Sequence, residues 1–94
     1  MKISNVHLNN LGTVNRNEVV LESDNGKIVL YFSYETIVGI EKNGQTYCLK
    51  NYWGPTTGKL LNDIEPDKGK RLDQEDFDKV LSSIFNDNLN SINN

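Results

Sequence analysis

The sequence predicts an α+β domain: an antiparallel meander sheet of about four strands, with a C-terminal amphipathic helix packed on one face. Three observations predict it. β-branched and aromatic runs in the first half are separated by two Asn-Gly pairs, the residues a tight hairpin turn requires. The last third holds one apolar stripe at helical spacing. And 94 residues suffice for one hydrophobic core, not two.

Taken in order, Ile3, Val6 and Leu8 form a short apolar pattern that ends at Asn9-Asn10-Leu11-Gly12. Val19 and Leu21 then alternate with Glu18, Val20 and Glu22, as on a half-buried strand. Asp24-Asn25-Gly26 is a hairpin signal, because Asn and Gly accept a positive φ. The run Lys27 to Tyr34 is apolar or aromatic on both parities, which suits a central strand covered on both faces. Thr36 to Ile40 is the next strand. Asn43-Gly44 turns the chain again, and Gln45 to Lys50 returns with Tyr47 and Leu49 on one parity.

The pattern breaks at Asn51. Tyr52-Trp53-Gly54-Pro55-Thr56-Thr57-Gly58-Lys59 cannot be a strand, since Pro and two Gly interrupt it. Leu60, Leu61 and Ile64 predict one or two helical turns capped by Thr56 or Thr57. Pro66 to Arg71 reads as a polar loop. Phe77, Val80, Leu81, Ile84 and Phe85 then fall on one helical face. Asp73 is its expected cap, with Asp76 three residues on and Leu72 and Phe77 at the staple positions. The domain is expected to span 1–87, with 88–94 a frayed, Asn-rich tail anchored only by Leu89 and Ile92.

Composition narrows the function classes. Residues 1–59 hold six basic and five acidic groups, residues 60–94 four and eight, for a net −3. An acidic surface repels phosphate backbones and suits a basic protein partner. Fourteen Asn and no Ala favour turns and caps and say little about chemistry. The start of the chain lacks the apolar core of a signal peptide, and Cys48 has no second cysteine to pair with. A cytoplasmic location is the expectation.

No catalytic or metal-binding constellation is legible. His7 is the single histidine, with no nucleophile or orienting carboxylate signalled near it. Cys48 lies forty-one positions away from it, too isolated for a metal ligand set. Asp73, Glu75, Asp76 and Asp78 lack Ca²⁺-loop spacing and read as a helix start. Gly54 to Lys59 imitates a phosphate loop, but it is one residue short between its glycines. Leu60 stands where that loop needs a hydroxyl, and Pro55 removes an N–H. No cofactor, no metal and no enzyme activity are therefore expected.

Binding has the better case. Tyr and Trp are the usual anchors of protein interfaces, and Tyr52-Trp53 sits on a Gly/Pro/Thr linker. Trp53 has a second reading, as a plug for one end of the core. The candidate partner-binding residues are Tyr34, Tyr52, Trp53, Thr56, Thr57 and Lys59. Tyr31, Phe32, Tyr34, Tyr47, Tyr52 and Trp53, in or beside the central strands, together with Lys42, Lys50 and Lys59, also admit single-stranded nucleic acid as the partner, with Tyr34, Tyr52, Trp53 and Lys59 as its expected contacts. An edge strand could pair with a second copy to give a homodimer.

Tyr31-Phe32-Ser33-Tyr34-Glu35-Thr36-Ile37-Val38-Gly39 and the downstream Asn51-Tyr52-Trp53-Gly54-Pro55-Thr56-Thr57-Gly58-Lys59 resemble signatures of a group of small uncharacterised proteins carried by phages, prophages and plasmids. The likeness covers about residues 28–85 and is looser over the N-terminal strands. In similar sequences a His often follows the Lys; here Leu60 does, so no chemistry by such a His carries over. The resemblance implies an accessory protein of a mobile element. Its expected role is an anti-CRISPR-like inhibitor that binds a host defence complex.

Overall fold

A computed structural model of the chain describes residues 3–12 and 15–93, with side chains described as far as 85. Five strands form one antiparallel sheet in sequence order: β1 (Ile3–Asn10), β2 (Arg16–Ser23), β3 (Gly26–Ser33), β4 (Thr36–Lys42) and β5 (Gln45–Cys48). Two helices follow, α1 (Pro55–Ile64) and α2 (Gln74–Asn93), with a 3₁₀ turn at Lys68–Lys70 between them. The α+β meander is as the sequence predicts, with five strands rather than about four. The weak apolar pattern understates β1, which pairs with β2 along its length apart from an irregularity between Ile3 and Asn5.

The turns obey their local chemistry. Asn43 and Gly44 both take positive φ, 51° and 83°, between the paired Lys42 and Gln45, as a two-residue primed hairpin requires. At the earlier hairpin Asp24 and Asn25 make the turn. Gly26 is the first residue of β3 and alone there takes a positive φ, 119°.

Register then sorts the side chains. Val19, Leu30, Ile40 and Tyr47 lie in one row across β2 to β5. They join Ile28, Leu49 and the α2 stripe, Phe77, Val80, Leu81, Ile84 and Phe85, in the main core. α2 thus covers one face through its predicted stripe. Its start is also as predicted: the Asp76 N–H donates to Asp73 Oδ1 at 2.8 Å, and Leu72 and Phe77 both enter the core.

The opposite face is where expectation and structure part. α1 begins at Pro55, with Gly54 as its cap, not Thr56 or Thr57. Pro at the first position supplies the helical φ and loses no bond. α1 is a ten-residue helix that buries Leu60 and Leu61 against Val38 and Cys48. Val38 reaches that layer through a bulge: Tyr31 pairs Gly39 and Phe32 pairs Ile37, leaving Val38 unpaired between them. An extra residue turns the strand's parity. Gly39 then allows close approach, since a Cβ there would stand 3.1 Å from Ile64. The centre of the sheet is therefore sandwiched between two helices.

The α2 backbone continues to Asn93, past residue 87 where the tail was expected to begin. The side chains of that stretch, Leu89 and Ile92 included, lie outside the described residues. The expected polar loop 66–71 contains the 3₁₀ turn, capped when the Gly69 N–H donates to Asp67 Oδ1 at 2.9 Å, and ends in a buried arginine, Arg71. Beyond it, Leu72 forms a parallel bridge with Leu49. The Lys50 N–H donates to Leu72 O at 2.7 Å and the Leu72 N–H to Cys48 O at 2.8 Å. That clip covers the β5 edge of the sheet. Among the described residues, no helix is long and apolar enough to cross a membrane.

Candidate functional site: an aromatic groove at the α1 N-terminus

Tyr34 and Glu35 make the two-residue tip of the β3–β4 hairpin, between the paired Ser33 and Thr36. Tyr34 takes φ 53°, a left-handed conformation that costs a non-glycine residue about 1–2 kcal/mol. Its N–H is fixed to Asn15 O at 2.8 Å, and its side chain is 66 % exposed. A strained backbone that presents an aromatic ring to solvent is the kind of outlier that marks working surfaces.

The linker is fixed just as locally. Asn51 Oδ1 accepts the Trp53 N–H at 2.9 Å and Asn51 Nδ2 donates to Gly54 O at 3.4 Å, a side-chain-made turn. The Tyr52 hydroxyl accepts the Gln74 N–H, the first of α2, at 3.2 Å. Tyr52 and Trp53 stand edge to face, centroids 6.1 Å apart at 86°. Both are exposed, Tyr52 by 56 % and Trp53 by 43 %. Trp53 belongs to neither core cluster, so it does not plug the sheet.

One buried hydrogen bond joins these two parts. Ser33 Oγ and Thr57 Oγ1 lie 3.0 Å apart, tying the hairpin to the first turn of α1. The result is a groove of about 290 Å³ whose lining includes Tyr34, Trp53, Pro55, Thr56 and Thr57. Four of the six candidate residues thus converge, and Tyr52 buttresses Trp53 from the side. Thr57 contributes as a buried strut. Lys59 is exposed on α1 and is not part of the lining.

The strand aromatics do not make a common platform. Phe32 and Tyr47 pack toward the α2 core. Tyr31 faces the other side, in a cleft with Arg16, Asp63 and Ile64, where its hydroxyl donates to Glu41 Oε2 at 3.2 Å. Burial and the Glu41 carboxylate push Tyr31 up to about 12. Burial likewise raises the Cys48 thiol to about 11, against the pull of Arg71; a thiol so placed is a poor nucleophile. His7 lies exposed on β1, 3.8 Å from Glu22. Among the described residues no group of three or more His, Cys, Asp or Glu is placed to hold a metal ion.

Two features escaped the sequence. Leu8, Val19 and Phe32 extend an apolar shelf from Tyr34 across the uncovered end of the sheet. On the other side of Asn51, Lys50, Lys68 and Arg71 line a basic cleft with Asn62. Proximity of Lys68 and Arg71 in sequence was the available signal for the second; nothing local announces the first.

A sequence model for a family of unknown function, DUF8033, matches residues 1–79. The chain belongs to that family. No curated protein and no solved structure matches it. The stretch matched to DUF8033 contains the whole sheet, α1 and all residues of the groove, and it stops within α2.

Proposed function

We propose that this protein is a non-enzymatic, partner-binding accessory protein of a phage or mobile element, acting inside the host cell. Its partner is a protein, and the role we favour is inhibition of a host defence complex in the manner of an anti-CRISPR. The observation that carries the binding reading is the groove: three exposed aromatic side chains, Tyr34, Tyr52 and Trp53, held on fixed backbone around the α1 N-terminus. Aromatic anchors that are rigid before binding lose little entropy on docking. The resemblance of the Tyr31–Gly39 and Asn51–Lys59 segments to mobile-element proteins supplies the biological context.

The test uses purified CRISPR effector complexes and the wild-type chain beside Trp53→Ala and Tyr34→Ala. Inhibition by the wild type, weakened tenfold or more by each variant as for hot-spot residues, supports the proposal. Full effector activity in the presence of wild-type protein, with nothing enriched from host lysate by the tagged chain, ends it. Single-stranded nucleic acid is the competing partner, and it has less support, because Lys59 stands apart from the groove and Phe32 and Tyr47 pack into the core. Oligonucleotide titration at falling salt concentration separates the two readings, since phosphate contacts strengthen steeply as salt is removed.

A further inference from the structure

Arg71 is 6 % exposed and makes no ion pair among the described residues. Its Nε donates to the Glu65 carbonyl oxygen at 3.0 Å and its Nη2 to Asn62 Oδ1 at 2.7 Å. Both acceptors are neutral. The ion pairs among the described residues, within 4.0 Å, are His7–Glu22, Arg16–Asp63 and Lys79–Glu75. The acids nearest in sequence are otherwise placed: Glu65 offers Arg71 its backbone, and Asp67 caps the 3₁₀ turn. A guanidinium keeps its charge and has five N–H donors. Taken out of water it is ordinarily met by an anion.

The cleft beside Arg71 has a volume of about 330 Å³ and is also lined by Lys50 and Lys68. Both lysines are exposed, and neither enters an ion pair among the described residues. Three cationic residues therefore line one cleft. The position is well fixed: Lys50 is clipped to Leu72 through its backbone, and Asn62 is anchored on α1.

We propose that this cleft binds a phosphate group, as inorganic phosphate or on a small phosphate monoester. A phosphate dianion matches three cationic residues better than a single carboxylate does, and the guanidinium keeps three N–H donors beyond the two already bonded to Glu65 O and Asn62 Oδ1. The site is separate from the aromatic groove and does not rest on the function proposed above.

The experiment is an amide NMR titration of the isotopically labelled full chain at constant ionic strength, with sodium phosphate in one arm and adenosine monophosphate in the other. The expected result is saturable shifts centred on Lys50, Asn51, Asn62, Lys68 and Arg71. Arg71 also holds the 65–71 segment in place, so the variants are the exposed Lys50→Gln and Lys68→Gln. Each is expected to keep the wild-type spectrum elsewhere and to weaken phosphate binding about fivefold, with a larger loss in the double variant. Equal affinity in both arms assigns the phosphate group alone. Tighter monophosphate binding, with added shifts at Tyr52 and Trp53, assigns a nucleotide. Shifts that stay linear to about 50 mM, or that fall evenly on all lysines, overturn the proposal. So does unchanged affinity in the double variant.

Discussion

β1 and β3 are both eight-residue strands in antiparallel ladders, yet they live in different surroundings. β3 buries Ile28 and Leu30 toward α2 and Val29 on the other face. Every residue of β1 is exposed, including Val6 at 61 % and Leu8 at 71 %. β3 is held by burial on two faces; β1 is held by hydrogen bonds to one neighbour and by Asn and Ser side chains along its length, such as Asn9 Nδ2 to Glu18 Oε1 at 3.1 Å. The difference teaches that one meander contains a load-carrying sandwich and a bare wing. The aromatic groove lies where β3 and β4 turn over, rooted in the sandwich and open toward the wing.

The sharpest way to break this comparison is to cut one side chain on each side of it. Phe77→Ala, at the centre of the sandwich, is expected to cost about 3–5 kcal/mol in denaturant unfolding. Leu8→Ala should stay within about 0.5 kcal/mol, as an exposed substitution does. A large loss from Leu8→Ala would mean that the wing is covered in solution, by a second copy or another chain.

A smaller effect tests the strut between hairpin and helix. Thr57→Val leaves Ser33 buried without its hydroxyl partner and is expected to cost about 1–3 kcal/mol. It should also loosen the groove, read as faster amide exchange at Tyr34 and Trp53.

Alkaline pH sharpens the comparison further, because both shifted groups lie in the sandwich. The Cys48 thiol rises from 9.0 to about 11 and Tyr31 from 10.0 to about 12, burial being the first cause of each. As pH climbs past 9 the unfolded chain gives up these protons before the folded one does. Stability is therefore complete below about pH 9 and falls through pH 12. Urea unfolding across that range should show the decline, and Cys48→Ala should flatten its first part.

One expected change is a gain. Tyr34→Gly relieves the left-handed backbone at the hairpin tip and is expected to stabilise the fold by up to about 1 kcal/mol. Partner binding should fall at the same time if the ring is an anchor. Loss of stability in this variant would show that the exposed ring packs on the wing.

Much of the framework was legible in residues. The α2 stripe from Phe77 to Phe85 and the Asp73 cap were readable because helical period and capping act within a few positions. Asn43-Gly44 was readable because its φ preference is intrinsic. The tip at Tyr34-Glu35 was not, since neither residue prefers a turn and the constraint comes from two paired strands. Of the candidate binding residues, Tyr34, Trp53, Thr56 and Thr57 line one groove and Lys59 does not, an arrangement that spacing along the chain does not reveal. Arg71 read as loop because burial of a charge has no local signature.

By itself, then, the sequence determined where the strands, the Asn43-Gly44 turn and the long helix lie, through period, parity and backbone preference, which are properties of neighbouring residues. Tertiary structure alone decided that α1 would close the second face, that Ser33 would meet Thr57, and that Lys50, Lys68 and Arg71 would converge. Those outcomes depend on which surfaces are brought together by burying apolar area, and that is settled only when the sheet, the bulge at Val38 and both helices are present at once.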